Sequence, residues 1–149
     1  SVIVDPYAFR WQHQRWTVRP ARELTLYELH VGTFTPEGTF AAAAERLPAL
    51  AQLGVTAIEL MPVVTFPGRR NWGYDGLYAW APHHVYGGPE GLTGLVAAAH
   101  RAGIGVILDV VYNHLGPGAE ALEAFGPYHT GRYGTPWGVN GGARTQPPK

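Results

Sequence analysis

Three short stretches of this chain are apolar almost without interruption, and each is separated from the next by a segment with helical spacing. Residues 24–31 read Leu-Thr-Leu-Tyr-Glu-Leu-His-Val, residues 55–61 Val-Thr-Ala-Ile-Glu-Leu-Met, and residues 104–111 Ile-Gly-Val-Ile-Leu-Asp-Val-Val. Runs of this length and composition read as buried strands. After the first, Thr39 suits a helix N-cap, apolar residues recur at helical spacing from Phe40 to Leu53, and Gly54 suits the C′ position. Pro48 lies inside this helix and is expected to kink it. After the second, a long loop leads to a helix from Pro89 to about Ala102, with Gly103 as the stop. The resulting order, strand-helix-strand-helix-strand, calls for a parallel sheet covered by helices through right-handed crossovers. A doubly wound sheet and a (β/α)8 barrel both satisfy it. The long loops follow strand C-termini, whereas each return to a strand is a single glycine, Gly54 or Gly103. That is the habit of a barrel, shared by open sheets. No Gly-x-Gly-x-x-Gly follows the first strand, which argues against dinucleotide binding.

Composition removes several classes of function. Eleven basic residues balance eleven acidic ones, so no electrostatic footprint for nucleic acid is present. The 149 residues contain no cysteine, which excludes disulfides and thiolate metal sites and fits a reducing, cytoplasmic setting. No stretch approaches the roughly 20 apolar residues needed to cross a bilayer, so no membrane partner is expected. Ser1 stands where a Met would open a chain, and Val2-Ile3-Val4 runs into Asp5-Pro6. Residues 1–22 are therefore expected to be a linker from a preceding domain. Only a weak helical signal, at Ala119–Phe125, follows Tyr112.

Residues suited to chemistry gather at three strand ends. Glu28 and His30 close the first. Glu59 lies in the second, with Asn71-Trp72-Gly73-Tyr74-Asp75-Gly76 in the loop beyond it. Asp109-Val110-Val111-Tyr112-Asn113-His114 closes the third. On parallel strands these ends share one rim. Aromatic rings beside carboxylates, amides and imidazoles suit a sugar, whose apolar face packs on a ring such as Tyr74 while its hydroxyls need groups such as Asp109 and His114. More aromatics occupy the same loops, namely Tyr78, Trp80, Tyr86, Tyr128, Tyr133 and Trp137. Tyr78, Trp80 and Tyr86 read more readily as loop core. Glu28, His30 and Glu59 read as structural. His83-His84 lacks the i, i+4 spacing of a helical metal pair, and adjacent side chains rarely chelate together. No metal or other cofactor is expected.

These clusters resemble the α-amylase family, glycoside hydrolase family 13. Asp109-Val110-Val111-Tyr112-Asn113-His114 is similar to that family's first conserved region at the end of the third barrel strand. Trp72-Gly73-Tyr74 is similar to the loop whose tyrosine stacks under the sugar at the cleavage subsite. The resemblance covers about residues 1–138 and implies a partial (β/α)8 TIM barrel over residues 23–149, strands 1 to 3 with their helices and long loops. It further implies that Tyr74 stacks on the sugar, that His114 binds its hydroxymethyl side, and that Asp109 orients an arginine on another strand. Trp72 and Asp75 belong to the same substrate-binding set, with Asn113 and Glu59 structural beside it.

The family's nucleophile, general acid and third carboxylate sit on its fourth, fifth and seventh strands. The resemblance therefore implies no catalytic residue here, and a working site only with the remainder of the barrel. Leu26 to Phe40, Glu59 to Val63 and Phe66 to Gly76 resemble one branch of the family in particular. That branch hydrolyses the α-1,4 bond next to the terminal trehalose unit of maltooligosyltrehalose, through retention with a covalent intermediate. Glycogen branching enzymes are similar but differ around Thr35-Pro36-Glu37-Gly38 and Arg70 to Gly76. An α-glucan-binding or inert segment is the third possibility. Three strands alone leave two sheet edges open and an apolar face uncovered.

Overall fold

The computed structural model describes residues 3–5, 7–13, 15–127, 134–135 and 138–139. A 3-10 turn at Ala21–Glu23 leads into strand β1 (Leu26–Leu29), a one-turn helix α1 (Val31–Phe34) and helix α2 (Phe40–Leu53). Strand β2 (Ala57–Leu60) follows, then the short strands β3 (Val64–Thr65) and β4 (Tyr78–Pro82), and helix α3 (Gly88–Arg101). Strand β5 (Gly105–Leu108) leads to a 3-10 helix at Ala119–Phe125, and β6 (Gly134–Thr135) pairs with β7 (Gly138–Val139).

β1, β2 and β5 form a parallel sheet in that order. Each of the two crossovers carries one long helix, as the alternation of apolar strand and helical segment requires. Cross-strand rows run Tyr27–Ile58–Val106 and Leu29–Leu60–Leu108 on one face, and Leu26–Ala57–Gly105 and Glu28–Glu59–Ile107 on the other. The first face meets the helices. Leu29, Ile58 and Leu60 are buried there with Phe40, Ala43, Leu47 and Leu50 of α2 and Leu95 and Ala99 of α3. The spacing of the α2 set is the stripe that a helix turns toward a core. Gly91 lets α3 ride close over Phe40, because a Cβ there would come within 3.1 Å of the Phe40 ring.

Local signals act as the sequence suggests. The Thr39 hydroxyl accepts the Ala42 amide at 3.2 Å and starts α2. Gly54, at φ +96°, ends it by donating its amide to the Ala51 and Leu50 carbonyls. The helix continues through Pro48 without a break. The strands are shorter than their apolar runs. His30 is still extended and precedes α1, which starts at Val31 and buries it. The loop after β2 is not structureless, since β3 and β4 pair antiparallel within it. The segment at Ala119–Phe125 is a 3-10 rather than an α-helix.

Residues before β1 lie against the far end of the sheet. Val18 approaches Gly105, and Trp16 stacks on His100 at 4.4 Å between ring centres. No helix among the described residues is long and apolar enough to cross a membrane.

Candidate functional site

The loop between β3 and β4 is organised by the side chain of Asn71. Its Oδ1 accepts the Gly73 amide at 2.6 Å and lies 3.5 Å from the Asp75 amide, while its Nδ2 donates to Asp75 Oδ2 at 3.2 Å. A short polar side chain bonding the backbone two residues on is the Asx turn. Gly73 then adopts φ +101° and presses onto Pro62, two residues beyond β2, where a Cβ would strike the Pro62 carbonyl oxygen. The turn leaves Trp72 and Tyr74 with exposed rings, 62% and 45% accessible, flanking a buried glycine.

Two histidines hold this turn from opposite sides. His114, beyond β5, donates from Nε2 to the Tyr74 carbonyl at 2.6 Å, and its Nδ1 lies 3.0 Å from Asn113 Nδ2. His30, at the end of β1, donates from Nε2 to the Asn71 carbonyl at 2.8 Å, and its Nδ1 lies 3.2 Å from the Thr33 hydroxyl. A carbonyl only accepts, so both imidazoles carry their proton on Nε2. The Tyr86 hydroxyl reaches the same Asn71 carbonyl at 3.5 Å and sits 3.3 Å from His30 Nε2. Burial pushes the Tyr86 phenol above its ordinary range, which keeps it a hydroxyl donor. The Trp72 ring leans on His30 at 5.1 Å. A further bond, from the Gly116 amide to the Gly76 carbonyl at 2.8 Å, ties the loop after β2 to the loop after β5.

The residues expected at one rim are therefore brought to the C-terminal ends of the parallel strands. Tyr74 and His114 are in contact, and Trp72 and Asp75 share their turn. Asp109 follows β5 directly, half-buried, with its amide donating to the Leu60 carbonyl at 3.0 Å. Counting on from Ile107, it continues the face that carries Glu28 and Glu59. Glu59 is half-buried and Glu28 exposed on that face. Two of these side chains also make bonds within the protein. The Asp75 carboxylate is engaged by Asn71, so part of its function is to close the turn. Both ring nitrogens of His114 face protein groups, so it holds Tyr74 in place.

His83 is buried, with Nε2 3.1 Å from the Gly68 carbonyl and Nδ1 without a partner. Burial holds it below the ordinary histidine value of 6.5, and the neighbouring His84 adds to the effect against the Gly68 bond. Among the described residues no three His, Asp or Glu side chains gather as a metal ion requires. Tyr86 is loop core, at 2% exposure, whereas Tyr78 and Trp80 stand exposed on β4. Tyr128, Tyr133 and Trp137 lie outside the described residues. The parts that sequence reasoning did not foresee are the clamp by His30, its backing by Tyr86, and the organising role of Asn71. Only the last has a local signal, an Asn two residues before a Gly.

Parallel strands joined by helices, with an aromatic turn and a polar strand end on one rim, define part of a (β/α)8 barrel. The chain belongs to the α-amylase family, whose catalytic-domain profile matches residues 11–129. Within it, the chain is similar to the malto-oligosyltrehalose trehalohydrolase of Deinococcus radiodurans, with 52% identity over 138 residues, 92% of this chain and 23% of that protein. A 1,4-alpha-glucan branching enzyme of Xanthomonas campestris is 36% identical over 84% of this chain and 19% of its own length. Among solved structures, a Salmonella typhimurium protein described as an alpha amylase superposes with a TM-score of 0.87 and 46% identity. The match covers 93% of this chain and 24% of that one. The chain thus spans about a quarter of the length of the trehalohydrolases it matches.

Proposed function

We propose that this segment is one wall of the substrate site in a barrel that hydrolyses maltooligosyltrehalose and releases trehalose. Tyr74 stacks against a glucose unit, Trp72 extends the apolar wall, and Asp109 meets polar groups on the sugar or on a neighbouring strand. Asn113 and His114 keep the Tyr74 turn in register. The observation that carries the reading is the bond from His114 to the Tyr74 carbonyl, which joins two sequence-distant loops into one aromatic and polar rim. Identity of 52% to a trehalohydrolase, against 36% to a branching enzyme, favours trehalose release over branch formation.

The covalent chemistry belongs to other strands of such a barrel, and surfaces beside β5 suit their docking. Ile107 and Leu108, on opposite faces of this edge strand, are 36% and 44% exposed, and Val110 is 36% exposed. Leu26, on the face turned from the helices, is 50% exposed. The test places this segment within a complete barrel and supplies maltooligosyltrehalose. Free trehalose among the products is the expected result. New α-1,6 branches without trehalose would favour the branching reading, and no product from any α-glucan would overturn both.

A further inference from the structure

Trp72 and Tyr74 stand on a turn in which the carbonyls of Asn71 and Tyr74 each receive an imidazole Nε2–H. The His114 end of this sling belongs to the strand-end cluster already described. The His30 end reaches the turn from β1, where sequence reasoning reads it as structural only. His30 sits 41 residues before Asn71 in sequence, its Nδ1 is occupied by Thr33, and Tyr86 from the far side of the loop backs the same carbonyl. The Trp72 ring also rests on the His30 ring. A group that receives a donor from β1 and a second from the segment before α3 cannot shift without breaking both bonds.

From this geometry we infer that His30 is a positioning residue for α-glucan binding, setting the Trp72–Tyr74 wall through its Nε2–H bond to the Asn71 carbonyl. The inference rests on the carbohydrate reading above and deepens it. His30 touches no sugar in this account and acts only through the turn. Three substitutions separate the parts of its side chain. His30→Gln can return an N–H near the Nε2 position, His30→Asn places its amide near Nδ1 instead, and His30→Phe keeps a ring under Trp72 with no donor.

The experiment titrates a complete barrel carrying this segment with a linear maltooligosaccharide and, on the same samples, follows hydrogen exchange at the Gly73 amide. Losing a donor to a part-buried carbonyl weakens binding by roughly three- to tenfold. That loss is expected in His30→Phe and His30→Asn, with faster Gly73 exchange, and recovery of both readouts is expected in His30→Gln. Tyr86→Phe, which removes the weaker backing donor, gives a smaller change in the same direction. Binding by His30→Phe equal to that of the unaltered barrel overturns the inference. So does failure of His30→Gln to recover when its melting temperature matches the unaltered barrel. Absence of binding in the unaltered barrel overturns the carbohydrate reading instead. The exchange data then decide the clamp alone, for it if His30→Phe loosens Gly73 and His30→Gln does not, against it otherwise.

Discussion

Replacing Gly73 by alanine isolates what docks the aromatic turn. At φ +101° an L-residue is strained, by about 1–2 kcal/mol on the left-handed helix scale. The new methyl also meets the Pro62 carbonyl oxygen and ring, and overpacking of that kind costs about 1–3 kcal/mol. The sum, about 2–5 kcal/mol, falls on the loop. An increase of about thirtyfold or more in loop opening follows from its lower end. Gly68→Ala is the control. It lies in the same loop at φ +82° with nothing within 4 Å of a Cβ, so only backbone strain is added. Hydrogen exchange at the Gly116 amide, which bonds to Gly76, reports the opening, and maltooligosaccharide affinity reports the wall. Gly73→Ala should exceed Gly68→Ala in both. Equal effects would show that contact with Pro62 does not hold the turn.

Other outcomes follow from named contacts. Tyr74→Ala should weaken maltooligosaccharide binding by about tenfold while Tyr74→Phe keeps most of it, because the ring face and not the hydroxyl meets the sugar; calorimetric titration checks this. Burial holds the folded pKa of His83 below its ordinary value, so the unfolded chain takes up a proton that the folded chain refuses. Stability should therefore fall as pH drops below about 6.5, and His83→Gln should flatten that slope in unfolding curves taken between about pH 7 and pH 5. His100, depressed by burial and by His13, keeps part of the slope in that variant. Thr39→Ala removes the acceptor for the Ala42 amide and should cost about 1 kcal/mol in denaturant unfolding.

The sheet and its helices were legible because their signals are local. Apolar runs marked β1, β2 and β5, and Thr39, Gly54 and Gly103 marked where the helices start and stop. Strand ends were overrun because Leu24 and Val31 are apolar for other reasons. Leu24 caps a 3-10 turn, and Val31 is buried by α1. The β3–β4 pairing was invisible, since β3 has two residues and Thr65 pairs with Tyr78 across the long excursion that carries the site. Of the rim, the resemblance reached Tyr74, Asp109 and His114. It did not reach His30 as a clamp, because a bond between residues 41 apart leaves no trace in spacing. The bond from Asn71 to Asp75 accompanies the turn that the Asn-x-Gly pattern beside it describes.

Backbone amide spectra of a complete barrel carrying this segment, titrated with a linear maltooligosaccharide, test the carbohydrate wall most directly. Shifts should concentrate at residues 71–76 and 109–114 and leave the Trp16–His100 end of the molecule unmoved. Shifts centred on Trp11 and Trp16, or none at any sugar concentration, would contradict the account.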